Sequence, residues 1–298
     1  MKRAVTFYSE GFKLDGDIYV PDGLPSGEKR AAVLLCHGYT GVKDLYLPDN
    51  ARAFNQAGYV SMTFDYKGWG ESEGPLSRLA PYSRVADVQA AMTFLTLQPE
   101  VASDAIGLFG VSYGGATVAW VGAVDQRAAC VVSVVGIGHG GRWMRSVRRP
   151  DEWFDMLESS KEDRERRATT GHSQMADRAG ILLADRASAE LSAAARRNLP
   201  SAIGTLPLEF IDDTLGFHPE WIVDKISPRP ILFITTDNDR LVPPEESESL
   251  YDHAKEPKKL VVLKDYSHYA VYQEPAFTEV MRESLVWFNK YLPARTQP

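Results

Sequence analysis

Residues 105–120, AIGLFGVSYGGATVAW, carry the pattern on which the reading of the whole chain turns. The run AIGLFG is short and apolar, as in a strand buried on both faces, and the stretch that starts at Tyr113 continues as a longer apolar helix. Between them stands Ser112, with Gly110 two residues before it and Gly114 two residues after. A serine on a tight strand-to-helix turn is pushed above the edge of a sheet, and small residues at those two positions remove side chains that would clash. The bare Gly-x-Ser-x-Gly pattern arises by chance in roughly one chain in ten of this length. Its weight therefore comes from its place at a strand-helix junction.

The surroundings of that junction repeat the same alternation. Upstream, RAVTFYS and the alternating FKLDGDIYV predict a hairpin closed by the turn-rich PDGLPSGEKR. The apolar run AAVLLC follows, then helical spacing over 46–57 with Leu47, Ala51, Phe54 and Ala57 on one side, then the strand YVSMTF. A second periodic helix covers 82–97, and ACVVSVV forms a strand after the helix that begins at Tyr113. This order predicts an α/β fold, a parallel sheet with helices on both faces. The rhythm breaks over 137–222, which contains no convincing strand and has helical spacing throughout. It resumes with ILFITT, a helix over 245–255, KKLVVLK and a closing helix over 276–291. One core made of 1–136 and 223–298, interrupted by a helical insertion at 137–222, fits this pattern.

Composition narrows the function classes. The chain has 298 residues, 44% hydrophobic and 24% charged, as in an ordinary globular protein, and a formal net charge of −7. Nucleic-acid binding needs a concentrated Lys/Arg excess, so a small molecule is the expected partner. Cys36 and Cys130 lie in apolar runs and read as inert core thiols. The start, MKRAVTFYSEGFKLDG, lacks the apolar stretch of a signal peptide, and no run is long enough to span a bilayer, so a cytoplasmic protein, monomer or homodimer, is expected. Metal-ligand spacing is absent from the sequence, and GIGHGG (136–141) does not match a phosphate loop, so no metal and no cofactor is expected.

A serine hydroxyl is a poor nucleophile at neutral pH and needs a base, a task suited to histidine. Six histidines are available: His37, His139, His172, His218, His253 and His268. A carboxylate must orient the base, and TDNDRLVPP after ILFITT offers both Asp237 and Asp239.

With GVSYG (110–114), the segment HGY (37–39) directly after a strand and DYKGWGES (65–72) make the chain resemble the α/β-hydrolases, over about 1–136 and 223–292. Within them it is similar to the dienelactone-hydrolase-like and Xaa-Pro-peptidase-like esterases, although Lys67 stands where the Asp-x-Arg-Gly-x-Gly-x-Ser loop usually has arginine. The resemblance implies a mostly parallel eight-stranded sheet with an inserted helical cap, and the order nucleophile, acid, histidine. On that pattern Ser112 is the nucleophile, and His268 in DYSHY is the base. Asp239, three residues before Val242 with Pro243 following, is the acid, which leaves Asp237 to fix its turn. Backbone amides of Tyr39 and Tyr113 would hold the oxyanion, with the Tyr39 phenol as a further donor or a pocket wall. Ser112 sets the chain apart from relatives with aspartate at the elbow, and from dienelactone hydrolases, which have cysteine there.

The resemblance implies a carboxylic-ester hydrolase. An amidase or peptidase, a C–C hydrolase, an acyltransferase or a non-catalytic binding protein on the same scaffold are the alternatives. Within the insertion, His139, Trp143, Trp153, Phe217 and Trp221, with Tyr39 from the core, are the candidates for the substrate pocket; Phe154 and Phe210 are further aromatic ones. RWMRSVRR (142–149) either holds an anionic substrate group or is a solvated helix end.

Overall fold

The β-strands, in chain order, are β1 (Lys2–Ser9), β2 (Phe12–Tyr19), β3 (Arg30–Cys36), β4 (Val60–Phe64), β5 (Val101–Val111), β6 (Ala128–Val134), β7 (Met175–Asp177), β8 (Thr205–Pro207), β9 (Ile231–Thr236) and β10 (Lys258–Leu263). These come from a computed structural model that describes residues 1–294 apart from 183, 198, 200 and 203; the last four residues of the expected core, 295–298, lie outside the described residues. Eight strands form one sheet in the order β1-β2-β4-β3-β5-β6-β9-β10. Within it only β2 runs against the others, since it is antiparallel to both β1 and β4 while every later pairing is parallel. The β1–β2 hairpin turns on Glu10 and Gly11, both with positive φ (48° and 85°), the backbone that matches a two-residue hairpin to strand twist.

Helices cover both faces. They are α1 (Leu47–Gln56), α2 (Pro81–Thr96), α3 (Tyr113–Val124), α4 (Gly140–Ser146), α5 (Pro150–Thr170), α6 (Arg178–Ile181), α7 (Arg186–Arg196), α8 (Glu209–Leu215), α9 (Pro244–His253) and α10 (Ala276–Tyr291). Leu34, Ile106 and Leu108 pack with α2 and α3 on one face, and Val33, Leu35 and Phe109 pack with α1 and α10 on the other. A strand covered on both sides has no polar face to alternate with, which is why β3 is buried along its whole length and reads as one apolar run. Cys36 and Cys130 are free and fully buried in these two separate clusters, and burial pushes the Cys36 thiol up to about 12 and that of Cys130 upward as well.

Two expectations need correction. Residues 137–222 do contain strands: β7 and β8 pair antiparallel, Met175 opposite Pro207 and Asp177 opposite Thr205. At three residues each they are too short to show an alternating pattern. Ala57 is exposed, because α1 ends at Gln56 and Gly58, at φ 94°, turns the chain away. Among the described residues no helix is long and apolar enough to cross a membrane.

Phe288 of α10 is fully buried between Phe54 and Tyr59, with ring centroids at 5.5 and 6.1 Å. It fits because Gly107 has no side chain: a Cβ there would stand 2.5 Å from the Phe288 ring. Phe288→Ala is expected to cost about 3–5 kcal/mol in chemical denaturation. A loss below about 1 kcal/mol would contradict this packing.

Candidate active site

Ser112 lies between the last residue of β5 and the first of α3, at φ 61° and ψ −123°. That backbone is costly for a residue with a side chain and persists only where the surroundings impose it. Here they do: the Ser112 amide donates to the Val134 carbonyl at 2.8 Å, and its own carbonyl accepts from the Ala116 amide at 3.2 Å. A Cβ on Gly110 would stand 2.2 Å from the Gly114 carbonyl oxygen, and one on Gly114 would stand 2.1 Å from that of Cys36. The two glycines of the motif are thus required by close backbone approach.

His268 opens a 3₁₀ turn, His268–Tyr272, after β10. Its Nε2 is 3.0 Å from Ser112 Oγ, and its Nδ1 is 2.6 Å from Asp239 Oδ2. The other carboxylate oxygen accepts the Leu241 and Val242 amides at 2.9 and 2.8 Å. All three side chains are buried. A carboxylate that accepts from Nδ1–H leaves the Nε2 lone pair facing the serine hydroxyl, the tautomer needed to take its proton.

Of the two carboxylates that the residues alone left open, Asp239 therefore faces the imidazole. Asp237 accepts the Asp265 amide at 2.7 Å, and the Asn238 amide donates to Tyr266 at 3.3 Å. These bonds tie the loop that carries Asp239 to the loop that carries His268. Among the described residues His268 is the histidine hydrogen-bonded to Ser112 Oγ. His172 and His253 are exposed, and His139 and His218 stack on each other with centroids 3.8 Å apart.

His37 is held by Arg84, whose guanidinium donates to the His37 carbonyl at 2.7 Å and to its Nδ1 at 3.1 Å. Burial, and then the Arg84 charge, hold the His37 imidazole well below its usual range, so it stays neutral. Arg84 was not singled out from the sequence. The available signal was a charged residue on the apolar face of α2, between Pro81, Val85 and Val88. The loop it anchors passes against the serine: a Cβ on Gly38 would be 3.1 Å from that of Ser112. The Tyr113 amide, first in α3, is one of those a helix leaves without an internal partner. The Tyr39 phenol donates elsewhere, to the Arg178 carbonyl at 3.1 Å, which removes it as an oxyanion donor.

The segment DYKGWGES folds around Asp65, which accepts the Lys43 amide at 2.6 Å and the Glu71 amide at 3.1 Å. Gly70 is required beside it, at φ 55°, because a Cβ would fall 2.0 Å from the carboxylate. Lys67, in place of the arginine, pairs with Glu10 and, at 3.2 Å, with Asp87.

Residues 31–275 match the family model for the alpha/beta hydrolase fold. The chain belongs to the α/β-hydrolase family. Relatives of this α/β-hydrolase include an uncharacterized 31.7 kDa protein from the traX-finO intergenic region of Escherichia coli, 30% identical over 94% of this chain and 98% of the relative. It is also similar to the thiohydrolase aneE of Aspergillus aculeatus, 27% identical over 96% of this chain and 92% of that protein. The crystal structure of the alpha/beta hydrolase GrgF from Penicillium sp. sh18 superposes with a TM-score of 0.82 at 23% identity, covering 98% of this chain and 99% of that one.

The cavity of this α/β-hydrolase beside Ser112 and His268 is lined by Tyr39, Tyr46, Leu182, Arg196, Leu241 and Tyr269, among others. Of the pocket candidates only Tyr39 lines it. Trp143 is buried under the Asp239 turn and donates from Nε1 to the Leu241 carbonyl at 2.8 Å. Phe217 stacks on the Tyr113 ring, with centroids 6.1 Å apart, and His139 caps α4 by accepting the Arg142 amide at 3.1 Å. Trp153 lies beside Arg145, and Trp221 and Phe154 are two-thirds exposed. Phe210 packs under Tyr39 and Tyr113. An aromatic side chain has many ways to be buried, and Trp143, Phe210 and Phe217 serve packing against the Asp239 turn, Tyr39 and Tyr113. Nor does RWMRSVRR face the cavity as an anion site: Arg142 bridges Glu220 and Glu246 at 2.8 and 2.7 Å, and Arg148 donates to the Met144 and Ile181 carbonyls. Among the described residues no cluster of three or more His, Cys, Asp or Glu is placed to hold a metal.

Burial raises the Asp65 carboxyl to about 6, against the pull of the Lys43 amide and ammonium. The native state therefore holds this proton where the unfolded chain, near 3.9, has released it. The stability of wild type relative to Asp65→Asn should be highest near pH 4, fall as pH rises through about 6 and then level off. Urea denaturation at stepped pH reads this difference, and a rising trend would contradict it.

Proposed function

We propose that this protein is a serine hydrolase that cleaves a carboxylic ester of a small molecule through an acyl-enzyme. The reading rests on one observation, the unbroken hydrogen-bonded chain from Ser112 Oγ through His268 to Asp239, at 3.0 and 2.6 Å. His268 Nε2 takes the hydroxyl proton as Ser112 Oγ bonds to the acyl carbon. Asp239 holds the ring in the tautomer that permits this and stabilises the imidazolium that results. The negative oxygen of the tetrahedral intermediate is held by the amides of Tyr39 and Tyr113, each such donor being worth about 10²–10³ in rate. The imidazolium then returns its proton to the leaving alkoxide, and water, activated by the same nitrogen, releases the acyl group. Residues 137–222 act as a cap on the core, giving the cavity wall Leu182, Ser192 and Arg196.

A second reading concerns the leaving group and the acceptor. The relatives named thiohydrolase and polyketide transferase support a thioester as acyl donor, and transfer of the acyl group to an acceptor other than water. The chemistry at Ser112 is the same in both.

The test is a parallel assay of oxygen esters, thioesters and aminoacyl anilides with wild type and Ser112→Ala. Turnover and labelling by a fluorophosphonate are expected in wild type alone. An unlabelled wild type, or undiminished turnover by Ser112→Ala, would overturn the proposal. Asp239→Asn should fold normally and lose about 10⁴ in kcat, the scale known for the same change in a serine protease. Asp237→Asn should lose far less, and a reversal of the two would reassign the acid.

A further inference from the structure

Thr40, directly after Tyr39, is buried and sits at φ 49°, a left-handed backbone that a β-branched residue rarely adopts. It is the third residue of a tight turn closed by the Gly41 amide on the Gly38 carbonyl at 3.2 Å, at a position that glycine or asparagine usually fills. Two arginines of the inserted segment converge on it. Arg196, the last residue of α7, donates from Nη2 to the Thr40 carbonyl at 2.5 Å and to its Oγ1 at 2.8 Å. Arg178, the first of α6, donates from Nε to the same Oγ1 at 2.8 Å, and its own carbonyl accepts the Tyr39 phenol. Its guanidinium also lies 5.5 Å from the Tyr39 ring centroid. Burial, and then the charge of Arg178, bring Arg196 down to about 10, consistent with two cations crowded onto one acceptor.

We infer that Arg178 and Arg196 are positioning residues that hold Thr40 in its strained conformation, and so keep the Tyr39 amide aimed at the acyl oxygen above Ser112. The inference rests on the proposal that this amide is an oxyanion donor. The turn at 38–41 is then completed by the insertion: four hydrogen bonds join residues 39–40 to residues 178–196, and displacing that segment releases the donor. Substrate contact is not required of either arginine for this role. The effect belongs to the transition state, since an amide aimed at the charged oxygen matters most when that charge has formed.

Thr40→Val keeps the shape and the branching but removes the acceptor shared by both arginines, whereas Thr40→Ser keeps it. Thr40→Val is expected to lower kcat about 10-fold or more with KM changed less than about threefold, and to slow fluorophosphonate labelling in parallel. Thr40→Ser should restore kcat to within about threefold of wild type, and adding Arg178→Met to Thr40→Val should lower it less than twofold further, because the bond is already gone. If Thr40→Val does not fold, Arg178→Met is read in the same way. Unchanged kcat, a rise in KM alone, or additive losses in the double variant would overturn the inference. Labelling of wild type by the fluorophosphonate, measured alongside, keeps this failure distinct from a failure of Ser112 as nucleophile.

Discussion

The close approach of three backbone segments at the carboxyl end of the central strands governs the rest of the site. β3, β5 and the start of α3 come together so tightly that neither Gly110 nor Gly114 has room for a Cβ, and Ser112 is forced to positive φ between them. The strain is local, while the packing that sustains it is spread over the sheet. The residue placed in this way stands at the sheet edge, with its hydroxyl 3.0 Å from His268 Nε2.

Around it, the loops are held to one another as firmly as to the strands they leave. Asp237 bonds the amide of Asp265, Trp143 bonds the Leu241 carbonyl, and Arg84 bonds the loop at 37–38. Each bond joins two segments that are distant in sequence. Burying an imidazole and a carboxylate side by side is costly unless their remaining polar atoms are satisfied. The Leu241 and Val242 amides meet that need for Asp239. A network satisfied in this manner is also rigid, which suits a group that must hold one tautomer and one angle.

The sheet and its helices were legible because burial leaves a periodic trace: AAVLLC, YVSMTF and ILFITT all became strands at the expected places. Ser112 stood out from its place between a strand and a helix, but the choice of His268 among six histidines came from family order and that of Asp239 over Asp237 from family spacing, since both carboxylates stand on the same turn. The cavity wall was not legible. Aromatic residues over 137–222 signal burial without saying against what, and Trp143 and Phe217 are spent on packing, while Tyr269, beside His268, lines the cavity. Arg178 and Arg196 escaped notice for a related reason. Their partner lies 138 and 156 residues away, and a cation on a short polar helix looks solvated until the fold brings Thr40 beneath it.

The two cysteines give the molecule an internal clock. Cys36 is sealed within one layer of helices and Cys130 within the other, both at zero exposure. Neither sulfur meets a solvent-borne alkylating reagent without separation of the layer that covers it, since ordinary loop fluctuation does not reach that depth. The pace at which each thiol is consumed thus records how often its own side of the sheet comes apart, and a difference between the two paces would reveal which layer detaches first.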